Sequence, residues 1–265
     1  MNKRHIFLIL FFPFIAMANV ESTQKRFGVY SVTISKSYES NIAKVVIKKR
    51  GQKIFEESDI GDYYYFGNNF DERVEGKDPY SGRNITGNGT PNLVISRWNG
   101  GAHCCHFLHI FELGKNFRKI ITVEAYSSWV RLIDLDHDSF PEIEFSDGPI
   151  DYVFASFAGS PGGRTILKFQ NNQYELATNL MKKPIPSEKQ IRLLKRKITT
   201  AFKKEESPDL PYEFLNTMMD FSYSGHFDLA LKIADEAWPT KKPGLAKFKE
   251  EFAQALRSSA YWKSF

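Results

Sequence analysis

The sequence predicts a mainly β protein, antiparallel and built from propeller-like hairpin units, with a C-terminal α-helical domain. Three observations predict it. Short apolar runs alternate with polar residues and are separated by Gly, Asn and Pro turns from residue 28 to residue 177. Aromatic residues make up 15% of the chain, with 23 Phe and 12 Tyr, a bias that favours sheets. From Ser187 onward the apolar spacing changes to three and four, the period of a helix.

Residues 1–18 read as a cleavable signal peptide. Lys3 and Arg4 charge its start, Ile6 to Ile15 is apolar apart from Pro13, and Ala16-Met17-Ala18 supplies a small-x-small cleavage pattern. Roughly ten apolar residues are too few to span a bilayer, which needs about 20. The expected product is secreted or periplasmic and not membrane-spanning. Losing Lys3 and Arg4 leaves 34 basic and 31 acidic residues, a net charge of +3. So mild a balance gives no concentrated basic face and argues against nucleic acid as a partner.

The β domain is expected over 19–181. Gly28 to Ser35 alternates like a half-buried strand, and Ala43–Lys49 and Lys53–Glu57 form a hairpin about Arg50-Gly51-Gln52. Tyr63-Tyr64-Tyr65-Phe66 is another strand, and Asn68 to Arg83 a long loop. Strands follow at Asn92–Trp98, His106–Leu113, Phe117–Glu124 and Val130–Leu135, four in about 50 residues, as in a propeller blade. Ile143–Ser146, Tyr152–Ala155, Thr165–Phe169 and Tyr174–Ala177 are expected to supply a second unit.

The helical domain is expected over 187–265. Ser187 caps a helix running through Ile191, Leu194, Ile198 and Phe202. Tyr212–Tyr223 and Phe227–Trp238 form a helical hairpin about Ser224-Gly225, similar to a tetratricopeptide unit, and Leu245–Leu256 gives a last helix. A single hairpin cannot bury its own face and must pack on its neighbours.

One short pattern occurs twice. The first copy runs from Asn84 to Ile95, and the second from Asp134 to Phe145. Each is an oxygen-rich turn, then Pro, then an apolar strand. The second places Asp134, Asp136 and Asp138 at positions 1, 3 and 5, the Phe140 carbonyl at 7 and Glu142 at 9. Alternating oxygens let a short loop wrap a hard cation, and Ca²⁺ takes 6–8 of them. Four carboxylates so close would otherwise repel. Ser139 stands at position 6, where such loops have Gly, and Phe145 stands where an EF-hand has its closing Glu. The first copy offers only neutral oxygens, on Asn84, Thr86, Asn88 and Asn92, and is expected to be a weak or vestigial site.

These two turns resemble the calcium-loop repeat of FG-GAP or VCBS-type modules, the blades of integrin-α-like β-propellers. The resemblance covers roughly residues 84–147. It implies a Ca²⁺ cofactor held by Asp134, Asp136, Asp138, the Phe140 carbonyl and Glu142. The chain is too short for a seven-bladed ring, so a partial propeller is expected. Together with Tyr223 to Pro239, the Gly100-Gly101-Ala102-His103-Cys104-Cys105 stretch resembles uncharacterised secreted bacterial proteins.

The only two cysteines, Cys104 and Cys105, are adjacent and admit three readings: a vicinal disulfide, buried thiols, or a soft-metal set with nearby histidines. On an extended strand Cys104 and His106 share one face while Cys105 and His109 share the other, which splits the metal set. The disulfide ranks first. The sequence thus points to a calcium-stabilised binding or interaction module without catalytic activity, with an unnamed protein or surface polymer as partner. The rival readings are a thiol-dependent or hydrolytic enzyme using the Cys104–His106 region, and a peptide-binding adaptor acting through the helical hairpin.

Overall fold

The computed structural model describes residues 20–103, 105–125 and 129–265. The expected signal peptide and Cys104 lie outside them. The chain is mainly β, with three four-stranded antiparallel sheets followed by helices.

Sheet 1 is a meander of β1 (Val20–Phe27), β2 (Tyr30–Ser37), β3 (Ile42–Lys49) and β4 (Gln52–Ile60). Tyr30, Val32, Ala43, Val45 and Ile47 are buried, as the alternation requires. They share one core with Leu93, Ile95, Phe111 and Leu113 of sheet 2. The edge strand β1 reads Val-Glu-Ser-Thr-Gln-Lys-Arg-Phe and is largely exposed. Its charges suit an unpaired edge, and for the same reason its sequence carries no apolar alternation to announce it.

Sheet 2 comprises β5 (Tyr63–Phe66), β6 (Asn92–Trp98), β7 (His106–Leu113) and β8 (Phe117–Glu124). Sheet 3 comprises β9 (Val130–Ile133), β10 (Glu142–Asp147), β11 (Gly163–Gln170) and β12 (Gln173–Leu176). The sequence-based grouping is therefore out of frame by one strand. Val130 opens sheet 3 because the short turn after it folds β10 straight back onto β9. The tyrosine run fills the vacated place, with Tyr63 opposite Trp98.

Tyr152–Ala155 is not a strand. Tyr152 has φ +60° in a turn that runs into a single 3₁₀ turn at Phe157–Gly159. Asn171 and Asn172, with φ +50° and +66°, make the two-residue hairpin between β11 and β12.

The helices are α1 (Thr178–Met181), α2 (Glu188–Lys204), α3 (Tyr212–Tyr223), α4 (Phe227–Ala237) and α5 (Leu245–Ser258). Ser187 and Gln190 form a capping box at the start of α2. The apolar face of the α3–α4 hairpin is spent inside the molecule. Phe214, Leu215, Met218 and Met219 share a core with Ile233 and Phe252, and with Ile150 and Ile166 of the β region.

Two contacts fasten α3 and the C-terminal tail to sheet 3. Gly163 lies so close to the Tyr223 ring that a Cβ there would meet it at 2.3 Å. The Tyr223 hydroxyl and Ser259 Oγ both donate to Oδ2 of Asp147, which is 5% exposed. Burial pushes the Asp147 carboxyl up, although both hydroxyl bonds oppose it.

Sheets 1 and 2 are also joined by a charged cluster. Arg97 on β6 reaches the carboxylate of Asp62 at 2.5 Å and that of Glu57, on β4, at 3.2 Å. Asp62 is 2% exposed, and burial raises it against the pull of Arg97. His109 on β7 lies 3.5 Å from Glu57. Burial holds this imidazole down to about 4, against the attraction of Glu57, so it is neutral at pH 7 and the contact is not an ion pair.

Candidate functional site: two turns on one scaffold

Each oxygen-rich turn enters the second strand of its sheet, β6 in one case and β10 in the other. Their backbones match at two positions that leave the ordinary regions. At positions 4 and 6, Gly87 and Gly89 have φ +77° and +82°, and His137 and Ser139 have +65° and +76°. Ser139 thus does hold the conformation for which Gly is the unstrained choice.

The supporting hydrogen bonds recur too. At position 9, Asn92 Oδ1 accepts from the Ile85 N–H at 2.9 Å, and Glu142 Oε2 accepts from the Leu135 N–H at 2.8 Å. At position 5, Asn88 and Asp138 each accept from the N–H two residues on, at 2.9 Å. Both position-9 side chains are buried, Asn92 at 0% and Glu142 at 1% exposure. The turns also touch: a Cβ on Gly87 would lie 3.0 Å from the Phe140 ring.

The charges differ completely. In the second turn the Asp134, Asp136 and Asp138 carboxylates each bring an oxygen within 4.8 Å of the others. Asp134 accepts from the N–H groups of Asp138 and Ser139. Lys168 on β11 sends its ammonium among the rest, 2.5 Å from Asp136, 2.6 Å from Asp138 and 3.0 Å from Glu142. These bonds raise Lys168 above its ordinary range despite its partial burial, and the bond from Lys168 lowers Asp138. One ammonium against four carboxylates leaves a formal charge of −3.

In the first turn the Thr86 hydroxyl shares Asn92 Oδ1 with the Ile85 N–H and lies 3.5 Å from Asn84 Oδ1. The cross-strand partner of Asn92 is Glu112. Asn88 Nδ2 donates to Glu112 at 3.0 Å, and Arg118 pairs with it at 2.9 Å. The neighbouring strand therefore brings an acid to the neutral turn and a base to the acidic one. Glu112 and Lys168 were both missed from sequence. Lys168 lies 26 residues from Glu142, and it is found only through the pairing of Ile143 with Leu167, one position inward on each strand.

The acidic turn suits a hard cation. Its donors are all oxygens and its net charge is negative. Separately, the buried Tyr174 hydroxyl has no hydrogen-bond partner among the described residues. Burial pushes that phenol up first, and the charge of Glu142 adds to it. Asp134, Asp136, Asp138 and Glu142 are the side chains that would hold the ion, with the Phe140 carbonyl expected beside them.

The cysteine and histidine region does not assemble a second such group among the described residues. His103 Nδ1 meets the Tyr152 hydroxyl at 2.7 Å, His106 stacks on Phe70 with centroids 4.0 Å apart, and His109 Nδ1 meets Thr122 Oγ1 at 2.9 Å. Cys105 is buried and disulfide-bonded, so it offers no thiolate. Its expected partner, Cys104, falls outside the described residues.

Compared with protein families, curated proteins and solved structures, the chain matches none. Among the described residues no helix is long and apolar enough to cross a membrane.

Proposed function

We propose that the chain is a secreted or periplasmic binding module without catalytic activity, built as a partial propeller whose acidic turn is closed by Ca²⁺. The observation that supports it most is the second turn, where three carboxylates hold a single ammonium and a fourth, Asp134, stands beside two of them. Excess negative charge on a turn that starts a core strand favours a divalent ion in a calcium-rich exterior. The meander order of sheets 2 and 3, with a matching turn before the second strand of each, supports the blade reading. The first turn offers only neutral oxygens of its own, and Asn88 spends its amide on Glu112, so it is at most a weak site.

Thermal melting of the mature chain in Ca²⁺ and in chelator tests this. An ion that binds only the folded state raises the midpoint; at a hundredfold excess over Kd the gain is about 2.7 kcal/mol. The shift should vanish in Asp136→Ala and survive in Asn88→Ala. An unshifted wild type, or an equal shift in Asp136→Ala, removes calcium from the proposal. Turnover of a substrate by the folded protein removes the non-catalytic part.

A further inference from the structure

A cleft of about 340 Å³ opens between β1 and β2 on one side and β5 with the 76–78 loop on the other. Its unusual feature is Lys36. In β2 the inward row runs Tyr30, Val32, Ile34, Lys36, so a lysine stands where the period-2 pattern calls for an apolar side chain. Lys36 is 9% exposed. Its ammonium donates to the carbonyls of Asp62 at 2.8 Å and Asn41 at 3.4 Å, and lies 4.3 Å above the Tyr63 ring. Among the described residues no carboxylate comes within ion-pair distance of it.

A buried ammonium held only by neutral groups is costly unless an anion completes it. The cleft's own acids are engaged by other residues of its lining. Glu21 accepts from the Tyr38 hydroxyl at 2.6 Å, and Asp78 pairs with Lys25 at 3.0 Å. With Lys25 taken by Asp78, Lys77, exposed on the cleft rim, is the other cation left to meet a ligand. Tyr38, 56% exposed, and Tyr65 supply aromatic wall, and Thr23, Ser35 and Asn69 line the cleft with hydroxyl and amide groups.

We propose that this cleft binds a carboxylated sugar ring, the uronate unit of an acidic polysaccharide, with its carboxylate on Lys36 and Lys77 and its ring against the tyrosine wall. Aromatic faces beside hydroxyl and amide groups suit a polyhydroxylated ring, and paired lysines suit its acid. A cleft of this size lies within the range of small-ligand sites. The inference rests on the binding-module reading and gives that module its ligand class.

Calorimetric titration of the full mature chain with an oligogalacturonate, and with neutral maltotetraose as control, tests it. The acidic oligomer should bind, and more weakly as salt rises. Losing one charge-assisted contact should weaken it roughly tenfold or more in Lys36→Met, and by less in the rim variant Lys77→Ala. An unchanged melting curve for Lys77→Ala keeps the test meaningful if Lys36→Met folds poorly. Equal binding of the neutral oligomer, no binding of the acidic one at millimolar concentration, or full affinity in folded Lys36→Met and Lys77→Ala each overturns the inference. Binding of the neutral oligomer alone would leave the binding-module reading standing. Substrate turnover would end that reading whichever sugar binds.

Discussion

The turns at Asn84–Asn92 and Asp134–Glu142 share a backbone and differ in almost every charge. Both place positive φ at positions 4 and 6, and both buckle the position-9 side chain to the N–H at position 2. The first does so with amides and glycines, and its neighbouring strand contributes Glu112. The second does so with carboxylates and non-glycine residues, and its neighbour contributes Lys168. Hydrogen bonds to the backbone define the loop's shape. The charge it carries is set separately, and the adjacent strand answers it only in part, with one ammonium for the acidic turn.

The contrast breaks most sharply at position 9. Glu142→Ala orphans the Leu135 N–H and also removes one of three carboxylates on the partly exposed Lys168, and should cost about 1 kcal/mol more than the matching change in the first turn. Asn92→Ala orphans a neutral N–H and should cost about 1–3 kcal/mol. Urea unfolding of both variants measures the difference, and equal losses would mean that charge is irrelevant to the buckle.

Acid separates the sheets beneath the turns. His109 in sheet 2 titrates near 4 when folded and near 6.5 when unfolded, so the unfolded chain binds more protons. Its contribution, about 3 kcal/mol, is full above pH 6.5 and drains away as pH falls toward 4. Asp151, just beyond sheet 3, is pushed up to about 6 by burial and by Asp147. There the folded state binds more protons, so its contribution grows as pH falls from 6. Stability curves of His109→Gln against wild type over pH 4–7 isolate the first effect. A wild-type slope that persists in the variant would refute it.

Lys168→Met sharpens the comparison at the cation. Without Ca²⁺ the variant should lose about 1 kcal/mol, as expected for a partly exposed ion-pair network, while its midpoint shift on adding Ca²⁺ should exceed that of wild type. Arg118→Met, beside the neutral turn, should leave the calcium response unchanged. Ser139→Gly makes the second turn more like the first and should gain up to about 1 kcal/mol by relieving left-handed strain. A loss of stability there would mean that the Ser139 side chain supports the turn.

The sequence revealed what local rules govern. Alternation placed nearly every interior strand, the Ser187–Gln190 box placed a helix start, and the spacing of oxygens marked both turns. It was blind where a partner is distant or a strand is polar. β1 has no apolar face, Tyr152–Ala155 looks like a strand but lies in a turn, and Lys168 meets Glu142 only once β10 and β11 pair. Lys36 was legible in principle, as a charge on the inward side of an alternating strand.

The clamp on Asp147 has a kinetic consequence. Its Ser259 partner lies 112 positions further along the chain. Contacts that distant pay their loop-closure entropy before they yield any gain, and they form late. A chain made N-terminus first must therefore wait for Ser259 before this clamp on sheet 3 can close. Until then the surface that α3 and α5 cover stays open, and that interval is when a chaperone or protease would find the protein most vulnerable.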